Sequence, residues 1–416
     1  MTKLELLEII RNGENSYIEF KLDSINPNDL AEVFVGFANS DGGKVLLGVD
    51  DNGDIIGIAR DNIEEWIINI CRNNCEPGII PLIEMIEVEP TKKVMVIMIP
   101  KGLGSVYKTN RGRWRIRVGS TTRECSTEEL ARLFQQRGVV HFDIAPVSRA
   151  GFEQLDMRRV RYYWEAIRKI KLDEVETKLE DLLLNSQIMT QADEGKFLTI
   201  AGTLIFTENP ARFLPQAGIT AVRFKGIDLS YKTLDREDIE GALVNLYDDK
   251  GKIIEYGVIE KAIRFVERNT STFSYMNGIV RQDVPQYLKE SVREAIVNAI
   301  AHRHYSIIGS KIRLFIFNNR LEVRSPGKIP NTVTIEQMKA SCHYARNPVI
   351  VKFLQHFGYV EDIGLGIPNK IIRLMRDHSK KVPELKELGE EFIVTLFPAE
   401  AKENMEEEYD ATKTMV

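Results

Sequence analysis

Apolar residues recur along residues 1–137 with two distinct periods, and the switches between them outline a mixed α/β unit. Leu4–Ile10 reads as a short amphipathic helix and Tyr17–Phe20 as a strand. Asp29–Ser40 has helical spacing, with Leu30, Phe34 and Phe37 on one side. Val45–Val49 and Ile55–Ile58 are short β-type runs around Asp50-Asp51-Asn52-Gly53-Asp54, residues that tolerate hairpin-closing conformations. Val94–Ile99 and Trp114–Val118 are further strands, and Ser126 caps a helix that begins at Thr127.

Val139–Glu153 lacks periodicity and contains Pro146, Ser148 and Gly151, which predicts a linker. The middle region reads as helical first, then strand-rich around Leu198–Ile205 and Gly218–Phe224. A second compact unit follows over 286–398, in the order helix, hairpin, lid-like loop, helix and a last strand at Phe392–Phe397. The resulting division is 1–137, a connector at 138–285, 286–398, and an acidic tail at 399–416 expected to be disordered.

Composition narrows the class. With 416 residues, 43% hydrophobic and 28% charged, the chain fits a multidomain globular protein. No apolar run is long enough to span a bilayer, and the first residues lack a secretory cleavage pattern, so a cytoplasmic protein with no membrane partner is expected. Cys71, Cys75, Cys125 and Cys342 have no partners at zinc-site spacing and are expected as reduced thiols. The net charge of −5 means that any basic site must be local.

The strongest chemistry lies in residues 288–304. Val292, Ala295, Ile296, Ala299 and Ile300 give a helix one buried face, while Glu294, Asn298 and His302, spaced by four, line another. An amide oxygen there suits magnesium, and a carboxylate one turn away suits water activation. Lys311–Phe317 and Leu321–Arg324 form a hairpin that runs into Ser325-Pro326-Gly327. Gly364-Leu365-Gly366 then opens a helix ending near Met375, where glycine backbone can approach phosphate.

Glu294-x-x-x-Asn298, the run Arg293–Tyr305, Arg346-Asn347-Pro348 and Gly364-Leu365-Gly366-Ile367 resemble the GHKL (Bergerat) ATPase family, in the divergent branch joined to Schlafen-type domains. The resemblance implies ATP and Mg2+ as cofactors, with Glu294 as the water-activating base and Asn298 as the magnesium ligand. His302, Gly327, Arg346, Gly364 and Gly366 would line the nucleotide site, beneath a lid over roughly 330–363. The wider family carries an adenine-reading Asp before the first glycine motif; Arg324-Ser325-Pro326-Gly327 stands there instead.

Two features mark the N-terminal third. Lys108 to Arg123 holds several cations and no acid, and Arg113, Arg115 and Arg117 alternate with Trp114, Ile116 and Val118. In a strand the arginines would share one face, suited to phosphate contacts, or simply protect an exposed edge. Glu14, Glu19 and Asp51, with Asp50 as a competitor, are a candidate divalent-ion set; the plain alternatives are an ion pair of Glu19 with Lys21 and a turn role for the aspartates.

Glu14-x-x-x-x-Glu19-Phe20-Lys21, the run Gly36–Gly43, Leu47–Asp51 and Arg115–Thr122 resemble the Schlafen-type AlbA domain. That implies DNA or RNA binding, with Lys21, Lys108, Arg113, Arg115, Arg117 and Arg123 as contacts. It also opens a metal-dependent nuclease reading, with Glu14, Glu19 and Asp51 holding Mg2+ or Mn2+. The expected whole is an α+β protein: an AlbA-type α/β domain, a mixed connector and a Bergerat-type ATP-binding α/β sandwich. Its expected function is ATP-gated, regulatory nucleic-acid binding as a homodimer or higher homo-oligomer, with a defence nuclease as the alternative.

Overall fold

A computed structural model describes residues 1–137, 141–174, 176–277, 280–329, 333–340, 344–361 and 365–399. The chain divides into two units, one formed by Met1–Val140 and the other by His141–Ile329 with the residues from Val333 onward.

In the first unit the elements are α1 (Lys3–Asn12), β1 (Ile18–Lys21), α2 (Pro27–Asn39), β2 (Gly43–Leu47), α3 (Ile63–Asn73), β3 (Leu82–Glu89), β4 (Lys92–Ile99), β5 (Arg115–Val118), β6 (Thr121–Glu124) and α4 (Thr127–Gln136). Thr2 and Glu5 cap the start of α1 reciprocally, and Ser126 and Glu129 do the same for α4. The four-stranded sheet runs β1-β2-β4-β3. The β1–β2 pair is parallel, and α2 supplies the crossover that a parallel pair requires. Alternation along β2 and β4 sends Val45, Leu47, Met95 and Ile97 to one core beneath α2 and α3. Leu46, Val94 and Val96 go to the other, with Leu6 of α1.

Ile55–Ile58 departs from expectation. Only a single bridge joins Val49 to Ile55. The amides of Ile56 and Gly57 both donate to the Gly48 carbonyl, and Gly48 and Gly57 adopt φ of 100° and 88°, which breaks the ladder. Cys71 and Cys75 are buried free thiols, and burial pushes each up to about 12.

The second unit contains α5 (Met157–Arg161), continued as a π-helical turn over Tyr162–Ile167. Then come α6 (Leu179–Asn185), α7 (Ile200–Phe206), β7 (Ile219–Phe224), β8 (Thr233–Ile239), α8 (Val258–Asn269) and α9 (Lys289–His302). The last elements are β9 (Ile312–Ile316), β10 (Leu321–Pro326), α10 (Ile335–Lys339), α11 (Pro348–His356), a π-helical turn at Gly366–Arg373, α12 (Leu374–Ser379), β11 (Glu384–Leu388) and β12 (Glu391–Leu396). The six-stranded sheet has the order β8-β7-β9-β10-β12-β11. β7 and β9 run parallel, and the other neighbours are antiparallel. The stretch expected as a connector thus contributes β7 and β8 to the same sheet as the C-terminal hairpin. α8 and α9 join their buried residues, among them Ile263, Phe265, Ile296 and Ile300, to one core with Leu314, Ile316 and Val323.

Leu198–Ile205, expected as strand, is mostly α7. Thr199 caps it by accepting from the Gly202 amide at 2.8 Å, and every residue of the helix is buried. A helix without a polar face shows no helical period, so its apolar run is indistinguishable from a strand. Among the described residues no helix is long and apolar enough to cross a membrane. The expected tail from residue 400 onward and part of the expected lid lie outside the described residues.

Candidate nucleotide and nucleic-acid sites

α9 places Glu294 and Asn298 one turn apart, as the spacing requires. The Asn298 amide nitrogen donates to Glu294 Oε1 at 2.9 Å and to the Glu294 carbonyl at 2.9 Å. Both donors face one residue, so Asn298 Oδ1 remains as an oxygen ligand suited to a hard cation. Burial raises the Glu294 carboxyl above its ordinary range, and the Asn298 hydrogen bond offsets only part of that. A carboxyl moved upward toward neutrality is suited to proton transfer.

The glycine turn closes on this pair. A Cβ at Gly366 would lie 1.7 Å from Glu294 Oε1, so only glycine admits this approach of backbone to carboxylate. Ser291, one turn before Glu294, donates to the Lys370 carbonyl at 2.5 Å and ties α9 to the π-helical turn. Gly364 lies outside the described residues.

Arg346 and Gly327, expected at the nucleotide, meet each other. Arg346 is 2% exposed. It donates to the carbonyls of His302, at 2.8 Å, and Lys328. Gly327 has φ 110°, and a Cβ there would meet Arg346 Nη1 at 2.8 Å and His304 Cβ at 2.5 Å. Asn347 donates to the carbonyls of Ala301 and Arg303 at 2.9 and 2.8 Å. These side chains satisfy the orphan carbonyls at the end of α9, and the deep burial of Arg346 lowers its guanidinium to about 10. His302 is the last residue of α9 and takes part through its carbonyl. Arg346 and Asn347 thus hold the end of α9, while Pro348 opens α11.

One contributor was not legible locally. Asp143 accepts from the amides of Val349 at 2.6 Å and Ile350 at 3.2 Å. It serves as the missing side-chain cap of α11, where Asn347 provides none.

In the first unit the carboxylates do converge, but on an ammonium. Lys21 Nζ lies 2.8 Å from Glu19, 3.8 Å from Glu14 and 3.8 Å from Asp51. The other Glu19 oxygen accepts from Arg117, and Glu14 Oε1 accepts from the Phe20 amide at 2.7 Å. The ion pair of Glu19 with Lys21, the plain alternative, is what forms. Asp50 is a turn residue, accepting from the amides of Asn52 and Asp54 at 3.0 and 2.8 Å. With Glu19 engaged by two cations and Glu14 by a backbone donor, the donor set does not fit a divalent ion. Among the described residues, no group of His, Cys, Asp and Glu could hold one.

The expected row of outward arginines is also altered. Arg117 is 7% exposed. Besides Glu19 it donates to the carbonyls of Asn15 and Ile18 at 2.8 and 3.0 Å, over the Phe37 ring. Val118 is half exposed instead. Arg113 and Arg115 both pair with Glu32 of α2, at 2.9 and 2.8 Å. Lys108 pairs with Glu76 and Arg123 with Glu129, at 3.0 and 2.6 Å. The basic segment lacks acids in sequence but receives them from α2, α4 and the residues after α3.

Comparison with known proteins agrees with this division. Residues 14–126 match the family model "Schlafen, AlbA_2". Residues 309–396 match the model described as "Putative ATP-dependent DNA helicase recG C-terminal". The second match begins after α9, so Glu294 and Asn298 stand ahead of it. No curated protein matches the chain. Among solved structures, that of the DIP2311 protein from Corynebacterium diphtheriae is similar, with 21% identity over 96% of this chain and 81% of that one, at a TM-score of 0.44. Two separate segments of the chain thus match family models, one of the Schlafen AlbA_2 type in the first unit and one of the recG C-terminal type in the second.

Proposed function

We propose that this protein binds ATP with magnesium through its second unit and nucleic acid through its first, and that it regulates rather than cuts. The observation that supports it most is the Glu294–Asn298 pair packed against the Gly366 backbone. It joins an oxygen ligand, a raised carboxyl and a glycine-only backbone approach in one place. Asn298 would hold Mg2+, which neutralises phosphate charge when bound. Glu294 would orient or deprotonate water, and the backbone at Gly366 would approach the phosphates.

For the first unit, the AlbA_2 match supports nucleic-acid binding. The exposed cations nearest to hand are Arg113 and Arg123, each held by one carboxylate that a phosphate can displace. The spent donors around Lys21 favour binding over hydrolysis. ATP would act on the oligomeric state, by binding one state more tightly than the other.

The test is equilibrium binding of labelled single-stranded RNA, tRNA and duplex DNA, with and without ATP–Mg2+, alongside light scattering. The expected result is binding without cleavage, a change of mass with ATP, and loss of that change in Asn298→Ala. Metal-dependent cleavage by the wild type that is abolished in Asp51→Ala, whose side chain is exposed and outside the buried ion pair, would establish the nuclease instead. No ATP-dependent thermal shift in the wild type would remove the nucleotide half of the proposal.

A further inference from the structure

Behind α9, within the second unit, lies a cleft of about 360 Å³, a volume that suits a small ligand. One wall is an aromatic tier. Tyr162 stacks on Tyr247, with centroids 5.6 Å apart, and on Phe357, at 6.3 Å, both at 27°. Lys289 and Arg293, one turn apart on α9, contribute two cations, and Glu260 of α8 one carboxylate.

The two cations differ in what they have left to give. Lys289 Nζ lies 2.9 Å from Glu267 and 4.0 Å from Glu260, so its charge is largely matched. Arg293 lies over the Tyr359 ring at 5.0 Å and donates to the Gly358 carbonyl at 2.7 Å. Among the described residues no carboxylate forms a close ion pair with it, although the charges of Glu294 and Glu361 act on it from farther away. A guanidinium has five N–H donors, so this one is held in place with most of its capacity free. The wall that carries Tyr162 and Ile167 is the π-helical turn, a rare geometry that recurs at functional sites.

We propose that this cleft is a second binding site, separate from the Glu294–Asn298 pair, for a small planar aromatic anion of the nucleoside monophosphate class. The aromatic tier accepts a flat ring. Arg293 takes the phosphate bidentately, and Glu260 accepts from a ribose hydroxyl or a ring amine. One guanidinium without a close carboxylate suits a single phosphate better than a polyphosphate chain.

The test is calorimetric titration of the full chain with AMP, CMP, inorganic phosphate and a short single-stranded oligonucleotide, in wild type, Asn298→Ala, Arg293→Gln and Tyr247→Leu. Saturable binding of AMP or CMP is expected, unchanged in Asn298→Ala and weakened by about tenfold or more in Arg293→Gln and Tyr247→Leu. Tyr247→Leu carries the test alone if Arg293→Gln fails to fold, as judged by its melting curve. The proposal is overturned if neither nucleotide binds, if phosphate binds as tightly as both, or if Asn298→Ala abolishes binding that Arg293→Gln retains. It is also overturned if only a single-stranded oligonucleotide binds in the Arg293-dependent manner.

Discussion

Arg117 of β5 and Glu19 of β1 stand 98 positions apart and form a buried ion pair, with side chains 1% and 9% exposed. Removing Arg117 leaves the buried Glu19 with Lys21 as its remaining cation and takes the donor from the Asn15 and Ile18 carbonyls, at a cost of up to about 3–5 kcal/mol. Arg117→Ala should therefore unfold the first unit at markedly lower denaturant. Arg113→Ala, whose partner Glu32 lies near solvent, should cost at most about 1 kcal/mol. Urea titrations of both variants check this. Equal, small effects would show that Arg117 is not held as described.

Lys21 Nζ lies within 3.8 Å of Glu14, Glu19 and Asp51. Lys21→Ala leaves Glu14, Glu19 and Asp51 facing a vacated position. The variant should gain a manganese-dependent thermal shift that the wild type lacks, because bound ion stabilises the fold by mass action. Identical manganese responses in the two proteins would argue against the ammonium as the occupant.

Burial holds the Glu294 carboxyl above its ordinary value of 4.5. A raised acid binds its proton more tightly folded than unfolded. Its favourable contribution is thus full below the unfolded value and lost as pH rises through the folded one. Glu294→Gln does not ionise and escapes that loss. The variant should melt above wild type at pH 7 and converge with it near about pH 4. Any ATP turnover should fall in the same variant, while ATP binding persists.

Gly366→Ala puts a methyl group 1.7 Å from Glu294 Oε1 in the present geometry. Either the turn or the Glu294 carboxylate must move, at a cost of up to about 1–3 kcal/mol. Nucleotide affinity should fall with stability. Gly309→Ala, with open space at its Cβ position and no left-handed backbone, controls for a simple glycine effect. An ATP-dependent thermal shift that survives intact in Gly366→Ala would place the phosphates elsewhere.

Asp143→Ala removes the acceptor of the Val349 and Ile350 amides at the start of α11. A lost cap costs about 0.5–2 kcal/mol, and burial places this one at the upper end. The loss should appear in the melting temperature and as faster amide exchange at Val349 and Ile350. Unchanged exchange there would refute the capping role.

Local pattern was enough to place α1, β1, α2, β4, β5 and the cap of α4, because each carries its period or capping residues within a few positions. It also put Glu294 and Asn298 on one face of α9, since helix geometry alone fixes residues four apart. It misread α7, whose buried surface leaves no polar face to reveal the helical period. It could not assign β7 and β8 to the sheet of β9 and β10, because strand pairing across nearly a hundred residues leaves no local trace. The charge pattern was least readable. The segment from Lys108 to Arg123 looked unopposed only because Glu19, Glu32, Glu76 and Glu129 lie outside it in sequence. The sequence by itself determined which groups are present and which share a helix face. Only the tertiary structure decided which charges meet, because ion pairing acts over a few ångströms of space while chain separation does not constrain it.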